Sequence, residues 1–256
     1  MDDTAILDRI QQALAAAREA LSDFTPGKIQ STLKAGGDPV TEADVLLDAI
    51  LKQALLRDGE GWLSEETVDD LSRLDKPRVW IVDPLDGTRE FIQGIPEWCI
   101  SIGYVVYGTP QAAGICNPAT GETFLGGRTT GVTLNGQRVK VSDTPQLEGA
   151  TVLASRSEVN RGQWQRFEKA GFEIIPMGSV AYKMARVAAG LNDATFTLVP
   201  KNEWDVAAGW LLIEAAGGIV RNIEEHPRVF NRQNPLLGGL ISANPRLYEK
   251  LVSACE

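Results

Sequence analysis

The apolar positions of this 256-residue chain change their spacing along its length. Near the start, Ile6, Leu7, Ile10 and Leu14 recur at helical intervals, which predicts an amphipathic helix over 4–22. Gly36-Gly37-Asp38-Pro39 reads as a turn. A second helix follows from about Thr41 to Arg57, with Leu47, Ile50, Leu51, Ala54 and Leu55 on one face. Two short apolar runs come next, one ending in "LSEET" (63–67) and one reading "RVWIVD" (78–83). Residues 98–141 have the texture of antiparallel strands, broken at Gly108-Thr109-Pro110, at Pro118-Ala119-Thr120-Gly121, and at Asn135-Gly136, a pair suited to a type I′ hairpin turn. Beyond about 145, strands and helices alternate. The expected elements are strand 150–155, helix 160–170, strand 172–176, helix 179–190, strand 194–199, helix 203–217, strands 218–221 and 237–242, and helix 245–254.

This order predicts an α/β protein with an α+β first half, 1–143, and an α/β second half, 144–256, packed as one unit. The length is ample for a real core, and 43% apolar with 23% charged residues is ordinary for a globular enzyme. A formal charge of −9 opposes binding to a nucleic-acid polymer. It also means that an anionic substrate would need cations brought in to hold it. The longest uncharged run, Trp98 to Gly121, is interrupted by glycine and proline, so it reads as paired strands and not as a membrane span. Met1-Asp2-Asp3 opens with acids instead of a basic leader, and Cys99, Cys116 and Cys255 are scattered without a pairing or CxxC pattern. The expectation is a soluble, cytoplasmic protein in a reducing compartment. His226 is the sole histidine, which removes histidine-based triads, H-E-x-x-H sites and histidine phosphotransfer. The chemistry must then rest on carboxylates, hydroxyls and lysines.

The segment "DPLDGTREF" (83–91) places Asp83 at a strand end and Asp86 in the following turn. Pro84 fixes the bend, so both carboxylates can face one side. With the Leu85 carbonyl they form an all-oxygen donor set that favours Mg²⁺, Mn²⁺ or Ca²⁺ over zinc. A solvated Asx turn is the plainer alternative. Gly87 lets the backbone approach a ligand, while Thr88 either opens a helical turn toward a phosphate or only caps it. Glu65 and Glu66 end the preceding strand; Glu65 can reach the same cluster, and Glu66 alone reads as a loop acid. Thr41 and Asp44 have capping-box spacing, and Asp205 in "EWDVAAG" (203–209) sits at a helix start, where an aspartate is usually a cap.

Taken together, "VTEAD", "SEET", "DPLDGTREF" and "WDVAAG" resemble the Mg²⁺-dependent, lithium-sensitive inositol monophosphatase superfamily, in the same order and over nearly the whole chain. The resemblance implies a layered α/β/α/β/α sugar-phosphatase fold with the site between its halves. It implies Glu65, Asp83, Asp86, Asp205 and the Leu85 carbonyl as ligands of two or three Mg²⁺ ions, with Mn²⁺ as a substitute. It further implies Asp44 and Thr88 as the pair that activates water, and Gly87 and Thr88 as the phosphate turn; Glu66 is counted with the catalytic acids. The expected partner is a small phosphate ester, with a homodimer left open.

Within the superfamily, Glu90 in "DGTREF", the "ASRSE" segment (154–158) with Ser155, the "EWD" segment with Glu203, and Lys183 resemble the 3′(2′),5′-bisphosphate nucleotidases. Lys183 would then meet a second phosphate. Ser179, Lys183 and Glu203 join Ser155 as expected substrate residues. Glu158 and Leu198 depart from the nucleotidase pattern, and "GSVAYK" is closer to the inositol enzymes. The main expectation is removal of the 3′-phosphate from 3′-phosphoadenosine 5′-phosphate. The alternatives are an inositol or broad sugar phosphatase and, in a different class, a non-catalytic phosphoester-binding regulator.

Overall fold

The computed structural model describes residues 3–34, 37–197, 199–222 and 230–255. Leu198, His226 and Gly36 of the expected turn lie outside the described residues.

The first helix, α1 (Asp3–Ala20), is followed by a small antiparallel hairpin that the apolar pattern did not predict, β1 (Ser31–Leu33) and β2 (Pro39–Thr41). Then come α2 (Glu42–Leu55), β3 (Gly61–Ser64), β4 (Arg78–Asp86) and the short α3 (Thr88–Gln93). The expected β region is a meander of β5 (Cys99–Val106), β6 (Thr109–Asn117), β7 (Glu122–Gly127), β8 (Gly131–Leu134) and β9 (Gln137–Val139), whose last turn is Asn135-Gly136 with both φ positive. β3 through β9 form one seven-stranded sheet in chain order, parallel between β3 and β4 and antiparallel thereafter.

The remainder is β10 (Thr151–Ser155), α4 (Arg156–Asn160), β11 (Glu173–Met177), α5 (Val180–Ala188), β12 (Ala194–Thr197), β13 (Lys201–Asn202), α6 (Glu203–Ala215), β14 (Ile219–Asn222), β15 (Leu236–Leu237), β16 (Leu240–Ala243) and α7 (Pro245–Cys255). A five-stranded sheet runs β11-β10-β12-β16-β14, with β16 antiparallel to both neighbours. The expected helix 160–170 does not form. Ser155 caps the chain early, so α4 begins at Arg156, and Gly162 at φ +75 turns the backbone before Trp164 and Phe167 enter the core. The expected strand 237–242 is two pieces, because β15 pairs with β13 and β16 joins the five-stranded sheet.

Three apolar cores stack these elements into five layers. Ile10 and Leu14 of α1 and Leu47 and Leu51 of α2 pack on one face of the large sheet with Trp80 and Ile100. Val79 and Ile81, alternate residues of the same strand, face the other way, toward α5, α6 and Leu240 of the second sheet. That alternation is why "RVWIV" reads as an unbroken apolar run: both faces of β4 are buried. α6 is apolar around its whole circumference for the same reason, since it lies between two sheets. The third core, Trp164, Phe167, Phe196, Leu247 and Leu251, seals the outer face of the second sheet under α7. β4 therefore delivers Asp83 and Asp86 from the centre of the stack, and the N-termini of α5 and α6 converge on the same place.

Gly190, which ends α5, has φ +69, and a Cβ there would lie 2.7 Å from the Lys140 carbonyl oxygen and 3.2 Å from the Ser142 nitrogen. Both obstacles are backbone in the segment that joins the two sheets. Gly190→Ala is expected to cost about 2–4 kcal/mol, combining left-handed strain with overpacking. A urea melt checks this, and an unchanged midpoint would contradict it.

Candidate active site

The cleft has a volume of about 250 Å³ and opens where the end of β4 meets the N-termini of α3, α5 and α6. Glu65, Asp83 and Asp205 offer carboxylate oxygens that all lie within 4.8 Å of one another. Asp83 is 1% exposed, with one oxygen receiving the Leu85 N–H at 3.0 Å. Burial, then the carboxylates of Glu65, Asp86 and Asp205, raise its pKa well above the ordinary aspartate range. Asp205 is pushed up to about 8 by burial and by Asp86 and Glu65. Glu65 is also raised, chiefly by burial, although Lys34 opposes the shift.

Asp86 lines the cleft with one oxygen already committed. Its Oδ2 accepts from Ser179 Oγ at 2.7 Å and from the Ala181 N–H at 2.6 Å, which fastens the strand turn to the start of α5. Ser179 in turn accepts from the Tyr182 N–H at 3.0 Å. The Leu85 carbonyl accepts from Thr88 Oγ1 at 3.1 Å.

Thr88 lines the cleft and Asp44 is buried behind it: Thr88 Oγ1 lies 2.8 Å from Asp44 Oδ1 as donor. Asp44 Oδ2 accepts from the Thr41 N–H at 2.8 Å and Thr41 Oγ1 at 2.5 Å, so the capping box is also real. Asp205 has the same double engagement, accepting the Asn202 N–H at 2.9 Å as the third residue of α6. Gly87 adopts φ +103, and a Cβ on it would lie 2.9 Å from the Glu97 carbonyl oxygen, so this turn into Thr88 tolerates only glycine.

The remaining expected residues are placed differently from one another. Ser155 lines the cleft, where its hydroxyl accepts the Glu158 N–H at 3.4 Å. Glu66 is held by Lys34 at 2.6 Å and does not line the cleft. Lys183 reaches the cleft wall, but its Nζ donates to the carbonyls of Met177, Gly178 and Ser179 at 3.3, 3.4 and 2.7 Å. An ammonium has three protons, and these three carbonyls account for them. Burial lowers its pKa to about 8, against the pull of Asp86. Glu203 is fully buried away from the cleft; its carboxylate accepts from the Asn231 and Arg232 N–H groups at 2.6 and 2.9 Å, and burial lifts its pKa to about 7. Glu158 is likewise internal, receiving Trp164 Nε1 at 3.0 Å and Thr197 Oγ1 at 2.7 Å.

Sequence reasoning passed over several members of this neighbourhood. Lys34 bridges Glu65 and Glu66, 2.6 Å from each, and burial notwithstanding, the two carboxylates hold its ammonium above the usual lysine range. Asp48, one turn beyond Asp44, accepts from Ser64 Oγ at 2.5 Å and Thr67 Oγ1 at 2.6 Å and so clamps the loop that carries Glu65. Arg156 is tied to Glu97, whose carboxylate also takes the Gly178 N–H at 2.8 Å. Lys201 lines the cleft, where it makes no direct ion pair among the described residues but its charge pulls the pKa values of Asp86 and Asp205 down. Neighbours that meet only through the fold leave no local motif; the one available clue was that two adjacent acids, Glu65 and Glu66, need a cation.

A partly buried group of oxygen donors whose pKa values are raised first by burial and then by one another's charge fits a hard divalent cation, and nothing in the set favours a soft one. The site and the match of residues 3–256 to the family model "Inositol monophosphatase family" together define a phosphomonoester hydrolase. The chain belongs to that family. An inositol-1-monophosphatase of Rhizobium meliloti is 35% identical over 233 residues, covering 85% of each chain. The Nus factor SuhB of Escherichia coli K12 is 30% identical over 239 residues, covering 90% of this chain and 86% of that protein. Among solved structures, the extragenic suppressor protein suhB from Bartonella henselae superposes with a TM-score of 0.84 at 30% identity, covering 98% of both chains. No helix among the described residues is long and apolar enough to cross a membrane.

Because the folded-state pKa values of Asp83 and Asp205 lie above their unfolded ones, the cation-free fold binds more protons than the unfolded chain. Its stability is greatest near and below pH 4 for these groups and is lost as pH rises toward 8 and beyond. In EDTA, the melting temperature contribution should therefore fall between pH 5 and pH 8, and Mg²⁺ should raise the melting temperature more at pH 8 than at pH 5. An equal Mg²⁺ effect at both values would contradict this.

Proposed function

We propose that the chain hydrolyses the monophosphate of a small polyol, with an inositol monophosphate as the substrate to try first. The observation that carries this reading is the fate of Lys183: all three of its protons point to backbone carbonyls, which leaves none of them to donate to a second phosphate. Glu158 and Glu203 point the same way, since each carboxylate is spent on internal donors. The relatives named above include an inositol-1-monophosphatase, and the nucleotidase reading of "DGTREF" and "SRSE" gives way to this one.

On this reading Glu65, Asp83 and Asp205, with Asp86 and the Leu85 carbonyl beside them, hold Mg²⁺ in two or three positions. When bound, Mg²⁺ supplies Lewis-acid stabilisation of the phosphoryl charge and acidifies the attacking water. The chain's own residues do the rest. Thr88 Oγ1 donates to Asp44 Oδ1, so its lone pairs are free to accept a proton from the water as its own proton moves to Asp44. Asp44 is immobilised for this by the two Thr41 donors on its other oxygen. The Gly87 turn points the first N–H groups of α3, those of Thr88 and Arg89, toward the phosphate oxygens. Lys34 keeps Glu65 in place and offsets part of the cluster's charge.

The test compares phosphate release with Mg²⁺ from inositol 1-phosphate and from 3′-phosphoadenosine 5′-phosphate as kcat/KM. The polyol ester is expected to win, and Thr88→Val is expected to lower kcat on it by about 10²–10⁴. A preference for the nucleotide would overturn the substrate assignment.

A further inference from the structure

Glu90 is the acid that the scheme above does not use. It stands two residues beyond Thr88 on α3, lines the cleft, and is only 9% exposed. No side chain or backbone group of another described residue donates to its carboxylate. Its neighbours add charge of the same sign: burial first, and then Asp86 and Glu97, raise its pKa, while its own backbone N–H and Lys183 pull the other way. Lys183 gives its protons elsewhere. The opposite wall is shaped around this carboxyl group, because a Cβ on Gly178 would lie 2.4 Å from Glu90 Cδ and 2.7 Å from its Oε1.

A buried carboxylate whose one donor is its own backbone N–H is left under-solvated. A ligand hydroxyl entering the cleft would relieve this, whereas a second phosphate would make it worse. Resting on the polyol reading above, we propose that Glu90 is a specificity-determining residue that accepts a hydrogen bond from a hydroxyl of the substrate's alcohol and disfavours additional anionic groups there. The absence of a Cβ on Gly178 gives this carboxylate its place in the cleft wall.

The test uses the full chain with Mg²⁺ and two ring esters that differ only in their hydroxyls: inositol 1-phosphate and cyclohexyl phosphate. Wild type should prefer the first. Glu90→Ala should raise KM for inositol 1-phosphate about 10- to 100-fold, as expected for a hydrogen bond to a charged group, with kcat within about threefold. It should leave kcat/KM for cyclohexyl phosphate within about twofold. Glu90→Gln, which keeps the shape and an acceptor oxygen, should lose less than Glu90→Ala on the polyol and nothing on the cyclohexyl ester. An equal fall on both esters would make Glu90 structural and overturn the inference, as would no fall on either. A wild-type chain with no preference for the polyol would overturn the polyol reading along with it.

Discussion

Crowding of like charge in a partly buried cleft governs this structure. Glu65, Asp83 with Asp86, and Asp205 come from three separate stretches of chain, and their carboxylates are brought to one cleft between two apolar cores. Such an arrangement is unfavourable by itself, since burial and repulsion both resist ionisation. The surrounding contacts offset it piece by piece. Ser179 and the Ala181 N–H take one oxygen of Asp86, the Asn202 N–H takes one of Asp205, the Leu85 N–H takes one of Asp83, and Lys34 pairs with Glu65. In Asp86 and Asp205 the engaged oxygen is part of the start of a helix, so the elements that build the fold are the same ones that aim the acids.

That dual use explains which residues could be read in advance. Asp83 and Asp86 were legible because a strand end, a proline and a glycine in nine residues constrain both direction and spacing. Asp44 and Asp205 were ambiguous between cap and site, and the structure makes the ambiguity physical: in each, one oxygen completes a capping box, while the other oxygen of Asp44 meets Thr88 and Asp205 joins the acid cluster. The run of elements predicted an α+β half followed by an α/β half, while the five-layer order came only through the family resemblance; alternation on β4 and an all-round apolar α6 are its physical basis, since each is covered on both sides.

Side-chain destinations were less legible. Lys183 has the right type and position for a phosphate contact, but sequence counts a charge without showing which acceptors reach it first. Glu203 beside "WD" reads as a substrate residue, yet it turns inward to satisfy the Asn231 and Arg232 N–H groups, and Glu158, the departure after "SRS", also turns inward, to Trp164 and Thr197. Helix 160–170 failed because a residue at positive φ and two aromatic anchors override helical propensity. Lys34 and Asp48 act on Glu65 from remote positions, so no local pattern announces them.

The central claim is that the acid cluster is assembled for a divalent cation and holds protons in its absence. Calorimetric titration of the EDTA-treated chain with Mg²⁺ at pH 7, repeated in two buffers of different ionisation enthalpy, counts the protons exchanged on binding. With Asp83 and Asp205 both titrating above the ordinary range, Asp205 at about 8, the account predicts release of on the order of one proton or more per chain. Binding with no proton release, or no binding at millimolar Mg²⁺, would contradict it.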